Sequence, residues 1–304
     1  MNMKLKIATR ISKLALVQTQ QIISKLQNKH PHLSIEKVEV LTAGDQIQDR
    51  SLAELGGKGL FIKGLEECLL SGTADIAMHS LKDVPPKLDD AFCIAAVLER
   101  QSPHDVLVSE KYVSIAALPA GAIVGTSSVR RKAALLHLRS DLDIRMIRGN
   151  VDTRLKKLSD GPFDAVLLAE AGLKRLGLEQ HIKEVLALDS FTPSVGQGII
   201  AIECLQSRHD LIELLQIINH VPTYAIMSAE RAMNRSLNAS CNSPVGSFAT
   251  ISSDRLHLYG VVWSLDGVQK IETRQSGSIQ DAEKIGVVAA EDLILQGAIR
   301  LLGL

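Results

Sequence analysis

With 304 residues the chain is long enough for two or three domains, and at 46% apolar and 22% charged it can bury ordinary cores. Its 34 basic and 34 acidic side chains balance to a formal net charge of zero, which argues against general nucleic-acid binding, and 3% aromatics leave little surface for stacking bases or sugars. The N-terminal MNMKLKIATR lacks the apolar core of a signal peptide and no apolar run approaches a membrane span, so a cytoplasmic protein with no membrane partner is expected.

Lys4–Thr9 reads as a strand, and Ser12 is placed to cap a helix running to about Asn28. Ile35–Leu41 is a second strand. Thr42–Gly59 (TAGDQIQDRSLAELGGKG) is polar and glycine-rich, a length of loop usually met as a lid or as disorder. Phe61, Leu65 and Leu69 mark one face of a helix that Gly72 ends, and Asp75–His79 is a third strand. The theme repeats over about 103–193. Val106–Val108 and Ile123–Thr126 are strands, and Ser128 caps a helix with Val129, Ala133 and Leu136 on one face. Ile144–Ile147 is a strand, Asn150 or Asp152 caps a helix with Val151, Leu155 and Leu158 inward, and the buried strand Ala165–Leu168 leads to a helix that Gly177 stops. Strand–helix alternation predicts parallel sheets with right-handed crossovers.

Phe191–Cys204 (FTPSVGQGIIAIEC) places a proline and two glycines before a strand, as a return crossing into the first domain would. Crossings near 99–103 and 193–198 would make a hinge and a cleft. From about Pro222 a helix over Thr223–Leu237 leads to Cys241, then strands near 245–251, 256–263 and 268–274 with a hairpin signal at Asp266-Gly267, and one helix from about Asp281 to Leu302. The expected architecture is α/β: domain 1 over 1–98 with a return segment 197–219, domain 2 over 103–193, and a small α+β domain 3 over 222–304.

The chemistry concentrates at strand-to-helix corners. Arg10, then Arg130, Arg131 and Lys132, then Arg148 and Arg154 sit where a strand turns into a helix. Helix N-termini attract anions, and arginine in a first turn opposes the dipole, so three such corners imply a phosphate or polycarboxylate ligand held by several guanidinium forks. HSLKDVPP (His79–Pro86) puts His79, Lys82 and Asp83 at the C-terminal end of a buried strand, where ligands of open α/β sheets bind; a capping Asp and a loop Lys on a surface turn is the plain alternative. Asp83 among arginines would stay ionised, suited to stabilising a cation or relaying a proton. GGKGLF lacks the phosphate-loop spacing, although Lys58 there could close over an anion. Four cysteines lie far apart in sequence with no CxxC pair, so neither a disulfide framework nor a metal site is expected. Cys68, Cys93 and Cys204 have apolar neighbours, whereas Cys241, in SLNASCNSPVG, has small polar ones that imply an accessible thiol.

Taken together, IATRISKLAL, GGKGLFIKGLE, ADIAMHSLKDVP, LPAGAIVGTSSVRRKA, IRGNVDTRLKKL, AGLKRLGL, PSVGQG, AERAMNRSL and the Cys241 loop resemble, in order, the porphobilinogen deaminase (hydroxymethylbilane synthase) family. The resemblance implies two cleft-forming domains like periplasmic binding proteins plus a small third domain. It implies a monomeric transferase of tetrapyrrole biosynthesis that joins four porphobilinogen units, releasing ammonia, on a dipyrromethane cofactor held by a thioether to Cys241. It implies that Asp83 is catalytic and that Lys82, Asp83, Ser128, Arg130, Arg131 and Arg148 hold the cofactor. Arg10, Ser12, Lys58, Ser127, Arg148, Arg154, Arg175 and Gln197 fall at substrate-binding positions, with Gln197 at the interdomain crossing facing the cleft. The chain departs from the family pattern at Ala239-Ser240-Cys241-Asn242-Ser243-Pro244 (usually GGCQ-x-P), at Glu54 and at Gly64. The alternatives are a non-catalytic binding protein for a polycarboxylate, which would need neither Cys241 nor Asp83, and a phosphate-transfer enzyme, for which a true phosphate loop and metal carboxylates are missing.

Overall fold

The structure, a computed structural model, describes residues 4–42, 44, 59, 61–240 and 242–303. Lys58, Glu54, Cys241 and most of the Thr42–Gly59 segment lie outside the described residues. Two five-stranded sheets and one three-stranded sheet organise the described residues.

The first sheet has the order β2-β1-β3-β10-β4, with β1 at Lys4–Arg10, β2 at Ser34–Val40, β3 at Ile76–Ser80, β4 at Phe92–Val97 and β10 at Ile200–Leu205. The helices α1 (Lys13–Lys29) and α2 (Lys63–Leu70) connect its parallel strands. Ser12 caps α1 as its sequence position predicts, its hydroxyl accepting from the Ala15 N–H. Ile22, Ile23 and Leu26 of α1 bury against Leu5, Ile7, Ile76 and Ile202 of the sheet.

The second sheet repeats the topology. Its order is β7-β6-β8-β5-β9, with β5 at Asp105–Val108, β6 at Ile123–Gly125, β7 at Asp143–Arg145, β8 at Ala165–Ala169 and β9 at Ile182–Val185. In each sheet the fourth position belongs to the strand that has just crossed from the other domain, β5 outward and β10 on the return. These two strands run antiparallel to both neighbours, so the sheets are mixed rather than parallel as expected. A strand that enters straight from a hinge, without a crossover helix to reverse it, is free to run the other way.

The helix α3 (Val129–Leu138) is capped by Ser128 and α4 (Val151–Asp160) by Asn150; α5 covers Glu170–Arg175. The face predicted for α3 is displaced. It buries Arg130, Arg131, Ala133, Ala134 and Leu135, while Val129 and Leu136 stay half-buried, because the two arginines turn inward to a carboxylate that the apolar pattern does not show.

After β10, α6 (His209–Gln216) closes the first domain. The third domain sets α7 (Val221–Ser236), α8 (Ala282–Leu295) and α9 (Ala298–Leu302) on the antiparallel sheet β11 (Val245–Ser252), β12 (Arg255–Trp263), β13 (Lys270–Ser278). The single final helix expected from sequence is broken at Gly297, whose φ of 101° no helix accommodates. Tyr259, Val261 and Trp263 of β12 enter the core of the second domain beside Ala133 and Leu135, so the third domain is packed into the second rather than tethered to it.

Candidate active site

The loop HSLKDVPP leaves β3 and makes one 3-10 turn over Leu81–Asp83. Its first amide, that of Leu81, donates to the Ile199 carbonyl, and the Val84 amide returns to the Leu81 carbonyl. Arg231 of α7, nine-tenths buried, donates from Nη2 to the carbonyls of Pro85 (2.9 Å) and Pro86 (3.2 Å) and from Nη1 to that of Val84 (3.5 Å). Prolines leave carbonyls without a matching N–H, and here one guanidinium from another domain gathers them. The backbone carrying Asp83 is thus held on both sides. His79, expected as a site candidate or a structural group, is structural: it lies buried with Nε2 2.8 Å from Glu203 on the neighbouring strand.

Lys82 lines a cavity with Val84, Ser128, Arg130, Ser194, Arg231, Ser240 and Ser243. This wall draws on all three domains. Ser240 and Ser243 flank Cys241, and the Ser240 N–H to Ser243 hydroxyl (2.9 Å) and Ser243 N–H to Ser240 carbonyl (3.0 Å) bonds fold the flanks back on each other. The described ends of the cysteine loop therefore face Lys82, Ser128 and Arg130.

Positive charge is concentrated here. Burial, then the neighbouring Arg131 cation, push the Lys82 ammonium down to about 8, with Arg154 adding to the effect and Asp83 and Asp105 opposing it. Burial and the adjacent Arg131 and Arg148 cations hold Arg154 at about 10, opposed by Asp83. Lys82, Asp83, Arg131, Arg148 and Arg154 thus act on one another electrostatically, and the cations outnumber the carboxylates. Arg154 is aimed by its Nε donating to the Gly149 carbonyl (2.9 Å), with Ser127 Oγ 3.4 Å from Nη2. Arg148 is 8% exposed, and its carbonyl accepts from Lys157.

Arg130 and Arg131 behave differently from the expectation of forks aimed only at a ligand. Both converge on Asp105, fully buried at the start of β5: Arg130 Nη2 at 2.6 Å, Arg131 Nη2 at 2.7 Å and Arg131 Nε at 3.0 Å. Burial works to raise the Asp105 carboxyl, but the two guanidiniums outweigh it and hold it at about 2. Gln197 completes the cluster, donating from Nε2 to Asp105 Oδ1 (3.0 Å) and to the Pro103 carbonyl (2.6 Å). At 1% exposure Gln197 is turned into this cluster, not towards the open cleft as expected.

The remaining candidates are dispersed. Arg10 ends β1 with its guanidinium 4.1 Å from the centre of the Phe61 ring, next to the capping Ser12. Arg175 donates to the Gly198 carbonyl (2.8 Å) on the return crossing, and burial holds it at about 10. Gly198 adopts φ +89°, and a Cβ there would meet the Gln101 carbonyl at 2.3 Å, so the two crossings touch backbone to backbone.

Sequence reasoning missed Asp105, Arg231 and Glu230. Glu230 is fully buried and accepts from Arg100 Nη1 (2.5 Å) on the outward crossing, the Gly196 N–H (2.8 Å) on the return and the Ala249 N–H (2.8 Å) of β11. One carboxylate thereby ties the third domain to both hinge strands. Arg231 and Glu230 were visible in AERAMNRSL as two charges on a helix of small apolar residues, and Asp105 as a carboxylate opening an apolar strand.

The sequence pattern described as porphobilinogen deaminase, dipyromethane cofactor binding domain, matches residues 5–213, and that of the porphobilinogen deaminase C-terminal domain matches residues 224–294. The chain belongs to the porphobilinogen deaminase family. A porphobilinogen deaminase of Chromobacterium violaceum is 48% identical over 295 residues, covering 97% of this chain and 96% of that one. Among solved structures, the methionine-binding protein MetQ has a TM-score of 0.44 at 12% identity, covering 71% of this chain and 89% of the other. The periplasmic VFT2 domain of Bordetella pertussis BvgS has 0.43 at 15%, covering 75% and 90%.

The cofactor class that this family pattern names can be tested against the side chains present. A dipyrromethane built from porphobilinogen carries several carboxylates on two pyrrole rings joined by a methylene, whose N–H groups can only donate. Lys82 and Arg154 are depressed first by burial and then by neighbouring cations, so this wall holds cations kept from water, which a ligand's carboxylates would complement. Ser128 and the serines flanking Cys241 line the same wall and add neutral hydrogen-bonding groups. The residues fit the group.

Proposed function

We propose that this chain is a transferase that joins four porphobilinogen molecules head to tail, releasing ammonia, to give hydroxymethylbilane in tetrapyrrole biosynthesis. The observation that carries this reading is the meeting of Lys82, Ser128 and Arg130 with both flanks of Cys241 in one wall, beside the fixed Asp83 turn. Cys241 holds the dipyrromethane by a thioether, and Lys82, Asp83, Ser128, Arg130, Arg131 and Arg148 hold it non-covalently. When bound, this group supplies the free pyrrole position at which the chain is extended.

Asp83 is the catalytic carboxylate. Loss of ammonia from porphobilinogen leaves an electrophilic methylene-pyrrolenine whose nitrogen carries positive charge, and a carboxylate held in place stabilises that charge without having to reorganise. Arg231 serves the step indirectly by fixing the loop on which Asp83 stands. Arg10, Ser12, Lys58, Ser127, Arg148, Arg154 and Arg175 are assigned to the acetate and propionate groups of incoming and added units. For Arg130 and Arg131 the assignment requires cofactor carboxylates to share donors with Asp105; each guanidinium carries five N–H groups, more than Asp105 uses. The domain division that serves this chemistry is 1–98 with 197–219, 103–193 and 222–304, in a cytoplasmic monomer.

Incubation of the purified protein with porphobilinogen tests the reading. Four ammonia released per hydroxymethylbilane formed supports it, and binding of porphobilinogen without ammonia release refutes it in favour of a solute-binding protein.

A further inference from the structure

Cys93 and Cys204, separated by 111 positions in the chain, stand opposite each other in register on the adjacent antiparallel strands β4 and β10, with their sulfurs 3.8 Å apart. Directly opposed residues of an antiparallel pair have Cα atoms about 4.5–5.5 Å apart, inside the span of about 4.4–6.8 Å that a disulfide bridges. The side chains thus need only rotate and close by less than two ångströms on backbone already at bonding distance. The two thiols differ in access: Cys93 is half-buried, whereas Cys204 is wholly buried in the core of the first domain. Neither lines the cavity at Lys82, and the proposed chemistry uses neither.

We propose that Cys93 and Cys204 form a hydroperoxide-sensitive dithiol that closes to a cross-strand disulfide. Cys93 is the attacking sulfur. Its hydrogen bond with Cys204 favours the Cys93 thiolate, while the same bond and burial disfavour a Cys204 thiolate. The Cys93 thiolate attacks one peroxide oxygen, the O–O bond breaks, and the departing hydroxide takes up a proton as water. This leaves a sulfenic acid on Cys93. Cys204 then attacks that sulfur, the S–O bond breaks, and the hydroxyl leaves with the Cys204 proton as a second water. Two thiols lose two electrons and two protons, and one peroxide is reduced. The bridge would join the strand that leaves the first domain to the strand that returns, closing a loop that contains the whole second domain and restricting the unfolded chain accordingly.

Cys68 is an internal control: it too is half-buried, and burial with the nearby Glu67 pushes its thiol up. The purified folded protein is treated with hydrogen peroxide, the remaining thiols are alkylated under denaturing conditions, and peptides are mapped by mass. The proposal predicts a Cys93–Cys204 linked peptide that disappears on reduction, alkylated Cys68, and a higher urea midpoint for the oxidised protein. It also predicts that Cys204→Ala traps Cys93 as a sulfenic acid that a cyclic 1,3-diketone labels, and that Cys93→Ser leaves Cys204 reduced. Oxidation of Cys68 ahead of the pair, overoxidation of Cys93 with Cys204 still a thiol, or no label on Cys93 in the folded Cys204→Ala variant would each overturn it.

Discussion

Replacing Asp105 with Asn removes one charge at nearly constant volume from the centre of the second domain. The wild-type carboxylate accepts from Arg130, twice from Arg131 and from Gln197, at 2.6–3.0 Å, and none of these groups has appreciable access to water. The amide cannot neutralise two buried guanidiniums and would turn its own donors towards them. Removing one partner of a buried ion pair costs about 3–5 kcal/mol because the other charge stays desolvated. The chain has one tryptophan, Trp263, fully buried in the cluster that contains Ala133, Ala134 and Leu135 of the helix carrying both arginines, so its fluorescence reports unfolding of this region. With a urea slope of about 3 kcal/mol per molar, the midpoint should fall by about 1–1.7 M at pH 7. The pH dependence gives a second check. The folded value of Asp105, about 2, lies below its unbound value of 3.8, so its stabilisation is fully present above about pH 4 and is lost as pH falls through about 2. The gap between wild type and Asp105→Asn should therefore narrow on acidification. A midpoint shift under about 0.3 M at pH 7, or a gap undiminished near pH 2, would refute this reasoning.

Three further substitutions test the same geometry. Arg231→Ala releases the carbonyls of Val84, Pro85 and Pro86; at about 1.5–3 kcal/mol for hydrogen bonds from a charged donor, turnover should drop about ten- to a hundredfold with KM changed less, and an unchanged kcat would contradict the loop-fixing role. Because Lys82 titrates near 8, below its ordinary 10.5, porphobilinogen affinity measured by calorimetry should weaken between pH 7 and 9 and lose that dependence in Lys82→Met. Stability runs the opposite way, since between 8 and 10.5 the unfolded state binds the extra proton; wild type should gain on Lys82→Met as pH rises through that window. Gly286→Ala places a methyl 2.2 Å from the Ala229 carbonyl where α8 crosses α7, and should lower stability by about 1–3 kcal/mol, read as a fall in the thermal midpoint.

The parts of this molecule legible from sequence are those whose cause is local. Ser12, Ser128 and Asn150 cap the helices they precede, because a cap is decided within three residues. The return crossing was legible because Pro193, Gly196 and Gly198 punctuate it before an apolar strand. The direction of β5 and β10 was not, since it depends on which position within a sheet the strand enters after a hinge. The basic corners drew attention correctly to Arg130 and Arg131, yet their common partner Asp105 is 25 and 26 positions away and carries no local mark. Glu230 and Arg100, 130 positions apart, meet only because three domains converge. Cys93 and Cys204, 111 positions apart, are likewise related only through the register of β4 and β10.

The account stands most directly on Cys241. Intact mass of the purified protein, followed by peptide mapping across Asn238–Val245, should show a covalent addition equal to two linked pyrrole units on that cysteine, acquired on incubation with porphobilinogen if the protein is isolated without it. A Cys241 that remains an unmodified thiol after that incubation, in protein that is otherwise folded, would contradict the proposed synthase chemistry.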